Sequence, residues 1–248
     1  TNKVQNWIDN YLEVFRNKDN SNLKFGVIVN YNNENHKYTV DSVNYIRKQL
    51  FNTNEKYVKG DLIMMQSIEF SSKEKGKGKF LIGKEERLLV QSVEKKDKTL
   101  NFTYRNKGEK DNSIFSITVP VYEFEVLNED NKTLLFDSLA LENKIADYFK
   151  DNTDLTLDSL NLEGKIPNNL NQMYLLISQR LADVTYAYVV NSHKVQGSSY
   201  DQTFVDEDNL LTARNFKEKL QLLYTAYTRS KFKTEVKTKA VQEIESED

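Results

Sequence analysis

The run Leu23-Lys24-Phe25-Gly26-Val27-Ile28-Val29, set between two stretches of helical periodicity, constrains this chain more than any other feature. It is short and almost continuously apolar, which suits a strand buried on both faces. Before it, Val4, Trp7, Ile8, Tyr11, Leu12 and Phe15 follow the i, i+3, i+4, i+7 spacing of one helix face, and Thr1 is placed to cap that helix. After it, an Asn-rich turn from Asn30 to Asn35 leads to a second helix with Val40, Val43, Ile46 and Leu50 on one side. Helix, doubly buried strand, helix is the order of an α/β fold with a parallel sheet flanked by helices.

From about Tyr57 the periodicity changes. Leu62-Ile63-Met64-Met65, Phe80-Leu81-Ile82 and Arg87-Leu88-Leu89-Val90 read as strands. Leu100, Phe102 and Tyr104 alternate with polar residues, as do Phe115, Ile117 and Val119, and then Tyr122, Phe124 and Val126. Pro120 interrupts the alternation and predicts a bulge or strand break, because it cannot donate a ladder hydrogen bond. Lys/Gly/Asn/Asp turns join these short strands, which suggests a small β-barrel inserted into the α/β fold. The stretch Lys73 to Lys79 reads as a hairpin tip, and its lysines, with Lys95 and Lys96, are contacts to DNA or to a partner, or else a solvated surface.

Helical spacing returns with Leu141, Ile145, Tyr148 and Phe149, capped by Asp137 or Ser138. A loop is expected over 151–169, then a helix with Leu170, Met173, Tyr174, Ile177 and Leu181. The run 185–190 and the shorter 203–205 predict strands of the same parallel sheet as 23–29. Phe216, Leu220, Leu223, Tyr224 and Tyr227 mark the apolar face of a last helix.

Composition excludes several classes. Basic and acidic residues number 35 and 37, for a net charge of -2, so the chain is no uniformly basic nucleic-acid coat, although a local basic groove remains open. Without cysteine there is no disulfide, thiol nucleophile or cysteine zinc site, and two histidines make a histidine metal centre improbable, so no metal-ligating residue is assigned. No apolar run approaches the ~18–20 residues of a membrane span and no signal peptide is evident, so the expected location is cytoplasmic, in a bacterial cell or phage-infected host.

Two segments carry chemistry. Asn191-Ser192-His193-Lys194-Val195-Gln196-Gly197-Ser198-Ser199-Tyr200-Asp201 follows a buried strand. It crowds hydrogen-bond donors beside a glycine that lets backbone approach a ligand, as phosphate oxygens require. Taken alone it is equally a polar surface turn. The second, Leu222-Leu223-Tyr224-Thr225-Ala226-Tyr227-Thr228-Arg229-Ser230-Lys231, is a helix ending in an arginine, which could equally serve the helix dipole.

In this order the two segments resemble motifs of superfamily 1 helicases. His193, Lys194, Gln196, Gly197 and Asp201 match a motif of the type Thr-x-His-Lys-x-Gln-Gly-x-x-x-Asp, with Asn191 at its Thr position. Tyr224, Ala226, Thr228 and Arg229 match Tyr-x-Ala-x-Thr-Arg. Val27 to Asn32, Val40 to Asn44, Ile46-Arg47 and Gly60 to Gln66 are similar to the Dda and RecD branch, whose second RecA-like domain is interrupted by a small Src-homology-type barrel. The resemblance implies a RecA-like motor domain in two parts, 1–56 and 184–248, a barrel insert at 57–136 and a helical and loop extension at 137–183.

The resemblance also implies roles. Arg229 is the catalytic arginine finger and, with Gln196, Gly197 and Ser198, lines the ATP side. Asn32, Ser192, His193 and Lys194 hold single-stranded DNA. The chain contains no Gly-x-x-x-x-Gly-Lys-Ser/Thr loop. The phosphate loop and Mg²⁺ ligands are therefore expected in an N-terminal motor domain of the same polypeptide. The expectation is the C-terminal half of an ATP-dependent DNA helicase moving 5′ to 3′, inactive alone, with replication or repair proteins as further partners. The alternative is a helicase-like module without enzymatic activity that binds single-stranded nucleic acid or such a partner.

Overall fold

Trp7, Tyr11, Leu12 and Phe15 lie on one stripe of α1 (Asn2–Arg16), and all four are buried. They cover β1 (Gly26–Asn30), every residue of which is buried, with Leu23 and Phe25 leading in. Phe204 takes edge-on contacts from Trp7 and Tyr11, so the helix is fixed on the sheet by aromatic geometry as well as by area. The structure, a computed structural model, describes residues 2–66, 69–74, 79–104, 113–140 and 180–238. Thr1 and the expected elements from Leu141 to Ile177 lie outside the described residues.

The remaining elements are α2 (Lys37–Phe51), β2 (Leu62–Met65), β3 (Glu69–Glu74), β4 (Lys79–Gly83), β5 (Arg87–Tyr104), β6 (Ser113–Leu127), β7 (Thr133–Leu139), β8 (Val184–Tyr186), β9 (Val189–Asn191), β10 (Tyr200–Asp206), α3 (Glu207–Leu210), α4 (Phe216–Tyr227) and β11 (Ser230–Lys237). Four strands form a parallel sheet in the order β11-β10-β1-β9. This is the α/β architecture expected from the sequence. Seven others form an antiparallel sheet in the order β4-β3-β7-β6-β5-β2-β8. The insert was expected as a barrel. The described pairings leave β4 and β8 at opposite ends of an open order, and β8 runs on directly into the parallel sheet.

Strand β2 shows why two sheets share one wall. Leu62 and Met64 belong to the core of the parallel sheet, whereas Ile63 and Met65 belong to the core of the antiparallel sheet. Alternate side chains leave a strand on opposite faces, so a strand between two cores must be apolar throughout. Gly60 turns the chain into β2 with φ of 92°, and a Cβ there would meet Phe51 at 3.1 Å.

Several expectations need correction. The run 185–190 is not one strand: β8 pairs antiparallel with β2 and β9 pairs parallel with β1. The bend at Ala187-Tyr188 lets the Tyr188 hydroxyl reach Asp61 at 2.7 Å. Asp137 and Ser138, expected as helix caps, are strand residues opposite Glu123 and Tyr122. Pro120 makes no bulge. It faces Asp97 in regular register just beyond the last β6–β7 pair, Val121 with Leu139, and its carbonyl accepts from the Ala140 N–H at 2.9 Å, so only the bond that its own N–H would donate is missing at this end of the ladder. The register shift falls instead between Val90 and Ser92. The expected strands at 87–90 and 100–104 are one long β5.

The apolar face assigned to α4 is also wrong. Phe216 and Tyr224 are 74% and 70% exposed, and Leu220 is exposed too, while Leu222 and Ala226 are buried. Leu223 alone of the expected set packs on the core, from a partly buried position. A denaturation series separates the faces. Leu222→Ala is expected to cost ~2–5 kcal/mol, and Phe216→Ser to stay within about 0.5 kcal/mol of the parent.

Candidate functional site

Strand β9 ends at Asn191, opposite Asn30 at the end of β1, whereas β10 begins at Tyr200, ahead of the pair Gly26 with Gln202. Residues 192–199 therefore carry the chain from the C-terminal end of the parallel sheet back to its N-terminal end. The segment does so through successive turns, in which the N–H groups of Lys194, Gln196 and Ser198 donate to the carbonyls of Asn191, His193 and Val195. Val195 is fully buried and anchors its middle.

At the first end, the Asn191 side chain accepts from the His193 N–H at 2.8 Å and donates to the Tyr31 carbonyl. The amide thus builds the turn that a threonine would occupy in the motif. His193 is exposed, and Asn32 is half-buried in the turn after β1. Lys194 reaches sideways: its Nζ donates to Glu34 at 2.9 Å and to Gln66 at 2.6 Å. Burial pushes the Glu34 carboxyl upward, but the bond from Lys194, a backbone hydrogen bond and the Lys194 charge together hold the group below its ordinary value. Burial, and then the Glu34 charge, raise the neighbouring Asp183. Ser192 does not face a strand. It is fully buried, and its hydroxyl donates to the Leu222 carbonyl at 3.1 Å, because the loop is clamped there against α4.

At the second end, Gly197 adopts φ of 87°, and a Cβ there would meet nothing within 4 Å, so its backbone is open to an incoming group. Gln196 is exposed beside it and Ser198 is half-buried. Arg229 follows α4 directly. Its Nη1 donates to the Ser198 carbonyl at 3.5 Å and its Nη2 to the Thr228 hydroxyl at 2.9 Å, while its buried Nε has no partner among the described residues. The Arg229 carbonyl accepts from the Tyr200 N–H at 2.8 Å. The structure therefore brings Gly197, Ser198 and Arg229 to one end of the sheet, and His193, Lys194 and Asn32 to the other. Asp201 is tied to Asn22 at 2.6 Å.

The first end holds a chemical consequence. A phosphate at the Lys194 ammonium would compete with Glu34 for it. Glu34→Gln is expected to raise affinity for a single-stranded oligonucleotide roughly two- to fivefold, the scale of a part-exposed ion pair, in a fluorescence-anisotropy titration. Unchanged affinity would show that Lys194 takes no phosphate.

Residues 186–234 match the family described as the UvrD-like helicase C-terminal domain. The matched segment is similar to that family, and it is 49 of the 248 residues. The helicase match spans the loop, α4 and Arg229. Similar solved structures include the Pif1 helicase from Candida albicans, at 13% identity and TM-score 0.38, covering 98% of this chain and 57% of that one. They also include the Pif1 helicase from Bacteroides in complex with ADP-AlF3 and ssDNA, at 12% identity and TM-score 0.32, covering 98% and 52%. A structure described as DNA unwinding at forked dsDNA by two coordinating Pif1 helicases matches at 12% identity and TM-score 0.34, covering 97% and 47%. The chain spans about half the length of these helicases. No curated protein matches it.

Two further buried features are assigned no role from the sequence. Arg47 and Asp61 form a buried two-bond ion pair at 2.8 and 2.9 Å, joined by the Tyr188 hydroxyl at 2.7 Å. Arg87 is buried between the sheets. The only sequence signal for it is an arginine opening the apolar run Leu88-Leu89-Val90. Among the described residues no helix is long and apolar enough to cross a membrane, and no group of His, Asp and Glu could hold a metal ion.

Proposed function

We propose that this chain is the C-terminal motor half of an ATP-dependent superfamily 1 DNA helicase, contributing the arginine finger and part of the strand track. In this reading 1–56 and 184–248 form the motor domain, 57–136 the insert and 137–183 its extension. The observation that carries the reading is the course of residues 192–199, one short segment joining two ends of a sheet. His193 and Lys194 stand at one end, and Ser198 and Arg229 at the other. A segment with a different ligand at each end couples closure at one to a changed grip at the other.

The residues at the second end fit a nucleotide. The backbone at Gly197 has open space beside it, and the buried Arg229 Nε has no hydrogen-bond partner among the described residues. Arg229, with Gln196, Gly197 and Ser198, would hold the phosphates of ATP, whose hydrolysis supplies the energy of each step. Arg229 stabilises the charge that develops on the transferred phosphoryl group, an effect worth ~10³–10⁵ in rate for such fingers. The phosphate loop and the Mg²⁺ ligands belong to a motor domain outside this chain. At the first end, His193, Lys194 and Asn32 take strand phosphates, with 5′ to 3′ movement as in the Dda and RecD branch.

Strand binding by the chain tests the first end. Affinity for an oligothymidine is expected to fall as salt rises, because phosphate contacts release counterions. The double substitution His193→Ala, Lys194→Ala is expected to weaken it about tenfold and flatten the salt slope by about one to two. Parental affinity and slope in the double variant would remove this end from the strand track.

A further inference from the structure

Arg87 is the largest fully buried side chain among the described residues, and it comes from the antiparallel sheet. Its Nη1 donates to the carbonyls of Leu23 at 2.7 Å and Gly26 at 2.9 Å, and its Nη2 to the Ala187 carbonyl at 2.7 Å. These three acceptors lie on the approach to β1, the first residue of β1 and the bend between β8 and β9. The guanidinium also lies over the rings of Tyr200, at 5.1 Å, and Phe25, at 5.6 Å. Its described side-chain hydrogen bonds thus go to backbone dipoles from separate segments of chain.

A buried charge is costly, and an apolar side chain of similar length would fill the space with less desolvation. What an apolar residue cannot do is hold three carbonyls and a ring in one fixed fork geometry. Tyr200 is the link to the site. It is buried, it opens β10, and its N–H donates to the Arg229 carbonyl at 2.8 Å, next to the pairing of Tyr200 with Ser230. The path from the antiparallel sheet to the arginine therefore has two steps, Arg87 onto the Tyr200 ring and the Tyr200 amide onto Arg229.

We infer that Arg87 is a positioning residue for Arg229, acting through Tyr200, so that the antiparallel sheet sets where the arginine stands at the N-terminal end of the parallel sheet. This rests on the assignment of Arg229 as the finger. The direct contact that Arg229 makes with Ser198 is long, at 3.5 Å, so its backbone tie to Tyr200 is the firmer constraint.

Hydrogen exchange on the 248-residue chain reads the link without catalysis. In Arg87→Lys the Tyr200 amide is expected to exchange at least about tenfold faster relative to the amides of Phe204 and Val205 in the same strand. A merely structural role would speed all three together, and that result would overturn the proposal. If Arg87→Lys does not fold, Tyr200→Leu removes the ring and leaves the carbonyl bonds; there the Ser230 and Lys231 amides are compared with Val236, and uniform exchange again overturns it. In the full-length protein, Arg87→Lys is expected to lower kcat at least about tenfold with the KM for ATP unchanged, since small displacements of a reacting group are costly. It is expected to add nothing to Arg229→Ala. A parental kcat in Arg87→Lys, where Arg229→Ala is impaired, overturns the proposal. A parental kcat in Arg229→Ala instead removes the finger assignment, and the exchange experiment then still decides whether Arg87 holds Tyr200.

Discussion

Arg229→Ala is expected to lower ATP turnover of the full-length protein by at least ~100-fold, while affinity for a single strand without nucleotide stays within about twofold. Arg229→Lys is expected to fail nearly as badly. A lysine keeps the charge but presents a point rather than a planar fork, and cannot reach the Ser198 carbonyl, the Thr228 hydroxyl and a phosphate oxygen together. If the arginine only served the end of α4, its loss would cost a few tenths of a kcal/mol in stability and leave turnover at the parental rate. Steady-state turnover with and without oligonucleotide, beside a melting curve, separates these results.

The second large effect lies away from either ligand. Asp61→Ala is expected to destabilise the chain by about 3–5 kcal/mol, a fall in Tm on the order of 10 °C for a chain of this size. Asp61 is fully buried and answers Arg47 through two bonds, the Tyr188 hydroxyl at 2.7 Å and the Val58 N–H at 2.8 Å. Removing the carboxylate leaves a buried guanidinium without its counter-charge, although its bond to the Glu55 carbonyl at 2.8 Å persists. The double variant Arg47→Met, Asp61→Leu removes both charges and is expected to recover most of the loss. A melting temperature in Asp61→Ala within about 2 °C of the parent would mean that the pair carries little.

How far the fold could be read from residues depended on whether periodicity had a single interpretation. Helix α1 and strand β1 did: one stripe of large apolar residues and one doubly buried run admit little else. Helix α4 did not. Phe216, Leu220, Tyr224 and Tyr227 form as regular a stripe as Leu222 and Ala226, and only the position of the sheet decides which is covered. The run 185–190 misled for a related reason. Six strand-forming residues in a row do not reveal that the chain changes sheets at Ala187, which the buried reach of Tyr188 to Asp61 settles.

For the site, the motif spacing pointed to Gly197, Ser198 and Arg229, which lie together, because that spacing spans one loop and one helix. It said nothing about the direction of individual side chains. Ser192 turns inward to α4, and Lys194 is held by Glu34, a residue of the loop between β1 and α2 with no place in the motif. Arg87 was illegible because its partners are backbone carbonyls, which any sequence supplies.

The central claim is that Arg229 serves a phosphate loop carried by another domain. ATP turnover measured with saturating oligonucleotide on the 248-residue chain alone, and on the full-length protein with and without Arg229→Ala, tests it most directly. The expected result is no turnover above blank by the chain alone, strand-stimulated turnover by the full-length protein, and its loss in Arg229→Ala. Strand-stimulated hydrolysis by the purified 248-residue chain would contradict the claim.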